Sequence, residues 1–143
     1  MRLRQGLAVL LTLFATCIPA SAQLTWPGGP VLCANFKTIN IVATTAPQAI
    51  EIIAATADKR SYVCGWDGGI YAAGQFKFRA GTGANCATGG YDLAGPYQLA
   101  ANGDGLVVPI GQQPVFWTAP SEAICGHLSV NTTFSGRITY AIF

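Results

Sequence analysis

The stretch "QFKFRA", Gln75 to Ala80, decides the fold class of this chain. Its residues alternate between an apolar set, Phe76, Phe78 and Ala80, and a polar set, Gln75, Lys77 and Arg79. Neighbouring side chains of a β-strand point to opposite faces of a sheet. A period of two therefore predicts a half-buried strand, with the apolar set in a core and the polar set in water.

Similar alternation recurs on both sides of this stretch. "FKTINIV" places Phe36, Thr38, Asn40 and Val42 on one face and Ile39 and Ile41 on the other. "RITYAIF" alternates Ile138, Tyr140 and Ile142 with Arg137, Thr139 and Ala141. Shorter runs rich in β-branched and aromatic residues predict further strands at "SYVCGW", "GLVVPI", "PVFWTA" and "ICGHLSV".

The segment "PQAIEIIAATADK", Pro47 to Lys59, fits two patterns. A short helix would place Ile50, Ile53, Ala54 and Ala57 on one face. A strand would instead use the alternation of Ile50, Glu51 and Ile52. The strand signals around it favour a strand followed by a turn.

Glycine and proline clusters separate the predicted strands, for example at residues 67–69, 81–90, 95–96 and 102–105. Strands about ten residues apart, joined by such turns and without a long helix, indicate an all-β fold. The sequence therefore predicts an antiparallel β-sandwich of the jelly-roll kind. Residues 23–143 are expected to form this single domain.

The first 22 residues have the pattern of a secretory signal peptide. Arg2 and Arg4 precede a short apolar run, and Ala20-Ser21-Ala22 offers a small-x-small cleavage site after Ala22. The run is too short to span a membrane. Cys17 follows Thr16, where a lipid-anchored protein is expected to have Gly, Ala or Ser. The pattern therefore predicts a secreted, periplasmic or extracellular protein without a lipid anchor.

Cleavage would also remove two of the eight basic residues and leave six against six acidic ones. A mature chain with almost no net charge has no basic stripe to neutralise phosphates, which argues against nucleic acid as a partner. Low net charge favours association instead.

Four cysteines remain after the predicted cleavage: Cys33, Cys64, Cys86 and Cys125. An exported chain with an even number of cysteines usually pairs them, and three pairings are possible. Cys33–Cys64 with Cys86–Cys125 is favoured because neighbours in the chain pair more often. Zinc is disfavoured because structural sites use close pairs such as C-x2-C, which do not occur here.

The glycine-rich stretch "GTGANCATGG", Gly81 to Gly90, has three interpretations: a phosphate loop, a metal site or a turn held by a disulfide. A P-loop requires Lys-Ser/Thr after its last glycine, and here Tyr91-Asp92 follows. A dinucleotide fingerprint requires glycine at the position of Cys86 and a following helix. The disulfide-held turn is therefore preferred, and no cofactor is predicted.

Catalytic constellations are weak in this sequence. His127 is the only histidine, and Ser121, Ser129 and Ser135 do not lie in a G-x-S-x-G elbow. Asp58, Asp67, Asp92 and Asp104 fall in turn-like stretches, where Asp commonly bonds to the local backbone. A D-x-D-x-D-G calcium loop does not occur. The sequence therefore predicts a non-enzyme without a metal site.

The aromatic residues offer the clearest binding hypothesis. Trp66 and Tyr71 flank "DGG", and Phe116 and Trp117 are strand neighbours that must face opposite ways. We expect Trp66, Tyr71 and Trp117 to form an apolar patch that contacts a protein partner or stacks on sugars. The alternative is that these large residues cover the edge of the sandwich.

The order of "RSYVCGW", "FKFRAGTGANCATG", "YDLAGPYQLAANG", "SEAICGHLSV" and "SGRITYAIF" resembles small, uncharacterised secreted or phage-associated β-sandwich proteins of bacterial and tailed-phage genomes. The resemblance covers about Cys33 to Phe143. It depends on the cysteine placement, the G-T-G-x-N-C turn and the closing S-G-x-[hydrophobic]-T-Y strand. It implies a non-enzymatic particle or surface protein with no catalytic residues. The signal peptide departs from virion proteins and favours a bacterial exported protein.

The sequence thus predicts an exported, non-enzymatic structural or interaction protein, self-associating or phage-particle-associated. A carbohydrate-binding module that uses exposed aromatic residues is the alternative.

Overall fold

The computed structural model describes residue 33 and residues 35–111 and 113–143. The predicted signal peptide and the ten residues that follow it lie outside the described residues. The strands are β1 (Asn35–Val42), β2 (Gln48–Ile53), β3 (Ser61–Ile70), β4 (Gly74–Thr82), β5 (Thr88–Leu99), β6 (Gly105–Val108), β7 (Phe116–Trp117), β8 (Ala123–Leu128) and β9 (Thr133–Ile142).

These strands form two sheets packed face to face. Sheet A has the order β1-β9-β3-β6, with the short β7 also paired to β3, and sheet B has the order β2-β8-β4-β5. Every strand pair is antiparallel. The predicted all-β, two-layer antiparallel fold is confirmed.

The core lies between the sheets, where the period-two patterns predicted it. Phe76, Phe78 and Ala80 of β4 are fully buried, and Ile39 and Ile41 of β1 are buried opposite them. Aliphatic and aromatic side chains share the interior, where Phe76 stacks on Phe134 of β9 with 3.9 Å between ring centroids. Burial of such side chains, each contributing about 1.5–3 kcal/mol, is the main driving force for this fold.

The segment with two sequence interpretations is a strand followed by a turn, as the strand signals favoured. Strand β2 covers Gln48–Ile53, and its register shifts between Glu51 and Ile53. This bulge explains why Ile52 and Ile53 are both buried although they are neighbours. The turn follows at residues 57–58.

Both favoured disulfide pairs are present. Cys33 bonds to Cys64 and Cys86 bonds to Cys125, each with 6.2 Å between the Cα atoms, within the usual range for disulfides. The first bridge joins Cys33, two positions before the start of β1, to β3, and the second joins the β4–β5 connection to β8.

The glycine-rich stretch is a turn held by a disulfide, as predicted. Strand β4 ends at Thr82, a short 3-10 helix covers Ala84–Cys86, and β5 begins at Thr88. Gly83 has φ of 73°, a conformation that glycine adopts without steric cost. Asn85 adds a second anchor, because its Oδ1 accepts a hydrogen bond of 3.0 Å from the backbone N–H of Glu51.

Candidate functional site

The outer face of sheet A, which points away from sheet B, carries an open groove. Its volume is about 480 Å³. We call it the sheet A groove and define it by Phe36, Asp67, Val107, Ile110, Arg137 and Thr139. The groove crosses the sheet from β1 at one side to β6 at the other, so it is formed by four strands that are distant in sequence.

The first row of the groove crosses the sheet at Arg137 and Asp67. These two residues are directly paired across β9 and β3, and Nη2 of Arg137 lies 3.0 Å from Oδ2 of Asp67. On the two flanks, Thr38 of β1 is paired with Arg137 and Val107 of β6 is paired with Asp67. The row therefore reads polar, cationic, anionic and apolar from one side of the sheet to the other.

The second row lies two residues further along the strands. Phe36 is paired with Thr139, and Thr139 is paired with Gly65. The chain after β6 crosses above Gly65, where a Cβ added to the glycine would lie only 2.8 Å from the backbone nitrogen of Ile110. The missing side chain of Gly65 therefore allows Ile110 to form the far wall of the groove.

Apolar side chains stand exposed on both walls. Phe36 is 79% exposed, Val107 is 70% exposed and Ile110 is 65% exposed. Singly scattered apolar residues are normal on protein surfaces, but a contiguous apolar surface with polar groups inside it is typical of a binding site. The ion pair between the walls gives this surface directional polar contacts as well.

The aromatic patch predicted from the sequence does not exist as one surface. The side chain of Trp66 points into the core and is 3% exposed. Tyr71 is 75% exposed, but it follows the end of β3. Trp117 is 37% exposed and pairs with Tyr62 near the start of β3. Tyr71 is nine positions along the chain from Tyr62, which is about 30 Å at about 3.3 Å per residue of strand.

The expectation that Phe116 and Trp117 face opposite sides is confirmed, since Phe116 is buried in the core. The sequence reasoning missed Phe36, Val107 and Ile110. A signal existed for Phe36, because the alternation of "FKTINIV" placed this large apolar residue on the polar face with Thr38. Val107 and Ile110 gave no comparable signal, since their run "GLVVPI" is apolar throughout.

His127 lies on the outer face of sheet B, paired with Lys77 of β4. Partial burial lowers its pKa below the ordinary value, and the positive charges of Lys77 and Arg79 lower it further. Ser121 and Ser129 use their Oγ atoms to accept hydrogen bonds from the backbone N–H groups of Asp58 and Gln75, at 2.8 and 2.9 Å. These serines therefore stabilise turns and strand ends.

Several carboxylates of the described chain also have partners within the fold. Asp92 lies 2.9 Å from Nζ of Lys77 and 3.2 Å from Nε of Arg79. Glu122 accepts a 2.8 Å hydrogen bond from the hydroxyl of Tyr91. Among residues 33, 35–111 and 113–143, no cluster of three or more His, Cys, Asp or Glu side chains is placed to hold a metal ion.

In the part of the chain that the structure describes, no helix has the length and hydropathy needed to cross a bilayer. Comparisons with known protein families, with curated proteins and with solved structures found no match. The function is therefore inferred from the residues of the groove.

Proposed function

We propose that this protein is a non-enzymatic exported structural or interaction protein that binds another protein through the outer face of sheet A. The observation that carries the proposal is the sheet A groove, with its exposed apolar walls around an Asp67–Arg137 pair. Protein interfaces combine an apolar centre with a few oriented polar groups, and arginine and aromatic residues are enriched in them.

The edges of the sandwich are poorer docking sites than this face. Lys37 lies on the inward-facing side of the edge strand β1, and its Nζ donates a 2.6 Å hydrogen bond to the carbonyl of Ile52 in β2. Inward-pointing charges and bulges on edge strands oppose pairing with another chain. Strand β2 carries a bulge after Glu51, and β5 pairs with β4 through several register shifts.

Export is supported by the signal-peptide pattern of residues 1–22 and by the two disulfides, because disulfides persist mainly in oxidising compartments. The resemblance to secreted or phage-associated β-sandwich proteins supports a role on a surface or particle. Nucleic acid is not a proposed partner, since the chain after the predicted cleavage has six basic residues against six acidic ones and thus no excess positive charge for phosphates.

We also infer that the sandwich is a jelly roll. The chain pairs β1 with β9, β2 with β8, β3 with β6 and β4 with β5, as if one long hairpin had been rolled into two sheets. This nested order of eight strands supports the assignment, with β7 added beside β3. Viral capsid and lectin domains are among the proteins that use jelly rolls.

A carbohydrate-binding module is the second proposal, and Phe36 favours it. This exposed ring lies beside Thr139 and close to the Asp67–Arg137 pair, and sugars bind by stacking on aromatic rings next to hydrogen-bonding side chains. A glycan array read with wild-type protein and with Phe36→Ser tests it. Absence of any glycan signal that depends on Phe36 would exclude this function.

The protein-binding proposal is tested by native mass spectrometry on protein recovered from the exported fraction. We expect a discrete complex, with itself or with another protein, that dissociates in Phe36→Ser and Ile110→Ser variants. Tyr71→Ser is the matched control, because Tyr71 is an equally exposed aromatic residue outside the groove. A free monomer in the wild type contradicts the proposal. Complexes of equal stability in all variants contradict it as well.

A further inference from the structure

We propose that the partner of the sheet A groove is a second copy of the same chain, bound face to face across a two-fold axis. This inference rests on the proposed function and specifies its partner. The groove offers a pattern of charge and apolar surface that is complementary to itself, and the net charge of the mature chain does not oppose association.

The pattern follows from the strand order of sheet A. In the first row Thr38, Arg137, Asp67 and Val107 follow one another from β1 to β6, and in the second row Phe36 stands at β1 and Ile110 on the far wall. Reversing the direction of the rows exchanges the two charges and the two apolar walls of the groove, and it places Thr38 opposite Val107. A surface with that property can bind its own copy, because an isologous interface brings the same patch of both subunits together.

A two-fold axis that runs parallel to the strands, between β9 and β3, produces this reversal. It places β9 of one copy over β3 of the other, so that Arg137 of each copy lies over Asp67 of its partner. It places β1 over β6, so that the wall that contains Phe36 faces the wall formed by Val107 and Ile110. This axis does not change positions along the strand direction. The facing residues therefore lie at the same height along the strands, since Arg137 and Asp67 share one row of the groove and Phe36 and Ile110 share the other.

The charged and apolar contacts have different roles in this dimer. Each copy contributes two apolar walls to the dimer. Contact between the walls of the two copies removes apolar surface from water, and this burial drives association. The two added ion pairs fix the register, because a shift that brings like charges together is unfavourable. Arg137 can reach a partner without repacking the sheet, since its side chain is 72% exposed.

Charge reversal tests the arrangement. Asp67→Arg gives a face with two cations, and Arg137→Asp gives a face with two anions. We expect the wild type to sediment as a dimer at about 100 µM, a concentration that populates complexes with micromolar dissociation constants. Each single variant should dissociate at least about tenfold more readily, because like charges then oppose one another. An equimolar mixture of the two variants should form a heterodimer.

The double variant Asp67→Arg with Arg137→Asp is the matched control, because it keeps an ion pair within each chain. We expect it to dimerise with itself and not with the wild type. A thermal unfolding scan of each protein shows whether the single variants fold. If one of them does not, the dimerisation of the double variant with itself and not with the wild type still tests the proposal.

A monomeric wild type, or a dimer that charge reversal leaves unchanged, overturns the self-association proposal. A complex with a different protein that dissociates in the Phe36→Ser variant overturns it too, but leaves the proposed protein-binding function standing. Sugar binding at the groove by a monomer overturns both and favours the carbohydrate-binding alternative.

Discussion

The side chain of Trp66 packs at the centre of the core between the two sheets. Its indole ring lies 5.0 Å from the ring of Phe78 and 5.1 Å from that of Tyr97, measured between centroids, and it also contacts Phe76 and Phe134. Its Nε1 is buried and has no hydrogen-bond partner within the described chain. The residue therefore stabilises the fold by packing alone.

We expect Trp66→Ala to lower the free energy of unfolding by about 3–5 kcal/mol, as removal of a buried aromatic side chain does. Trp66→Phe should cost less than half as much, because the replacement keeps an aromatic ring and no hydrogen bond is lost. Urea unfolding of both variants measures this. A loss for Trp66→Phe equal to that for Trp66→Ala would contradict the packing role and indicate a bonded indole N–H.

His127 predicts a pH dependence of stability. Its pKa is lowered by partial burial and by Lys77 and Arg79, with Asp92 acting in the opposite direction. The folded protein therefore binds the proton less readily than the unfolded chain, whose histidine has a pKa of about 6.5. Neutral His127 makes its full contribution to the free energy of unfolding above about pH 6.5. This contribution is lost as the pH is lowered through the folded-state pKa.

The measurement is the free energy of unfolding of wild type and of His127→Gln between about pH 8 and pH 5. Carboxylates contribute equally to both proteins, so the difference isolates the histidine. We expect the wild type to lose more stability than the variant as the pH falls below about 6.5. A difference that stays constant over this range would contradict the lowered pKa.

At the scale of elements, the strands were predictable and their pairing was not. Alternation within "QFKFRA" and "FKTINIV" depends only on neighbouring residues, so it identifies β4 and β1 and the faces that they bury. Pairing of β1 with β9 joins the two ends of the domain, and no local pattern encodes it. The groove was missed for the same reason, since its walls come from β1 and from the chain after β6.

The β4–β5 connection depends on the disulfide between Cys86 and Cys125, which closes a loop over a sequence separation of 39 residues. We expect the Cys86→Ser/Cys125→Ser variant to lose about 4 kcal/mol of stability by the loop-entropy relation. Guanidinium unfolding under non-reducing conditions measures the loss, because the Cys33–Cys64 bridge then stays intact in both proteins. A variant as stable as the oxidised wild type would contradict the predicted contribution of this bridge.

Gly65 controls how the chain after β6 lies on the sheet. A Cβ at this position would lie 2.8 Å from the nitrogen of Ile110 and 2.9 Å from the carbonyl oxygen of Val108. We therefore expect Gly65→Ala to displace Ile110, to lower stability by about 1–3 kcal/mol, as overpacking does, and to weaken association. Thermal unfolding and sedimentation measure the two effects.

Gly111→Ala is the control for this change, because the added Cβ would meet its nearest atom, the carbonyl oxygen of Gln113, at an ordinary 3.5 Å. If both alanine variants behave alike, the close approach at Gly65 does not position the wall of the groove.

At the scale of the whole molecule, the two outer faces of the sandwich differ in kind. Sheet B presents a charged network in which Asp92 binds Lys77 and Arg79. Sheet A presents exposed Phe36 and Ile110 around a single ion pair. Charged groups that already satisfy one another gain little from a partner, whereas exposed apolar surface gains free energy when it is covered. This asymmetry supports the proposed binding through sheet A.

The measurement to make on the whole molecule is covalent footprinting of the assembled protein against the dissociated one, read by mass spectrometry. Labelling of Phe36, Val107 and Ile110 should fall on assembly, while labelling of Tyr91, which is exposed on the other sheet, should not change. Protection confined to sheet B, with Phe36 and Ile110 labelled as strongly in the assembly as in the monomer, would contradict the assignment of sheet A as the binding face.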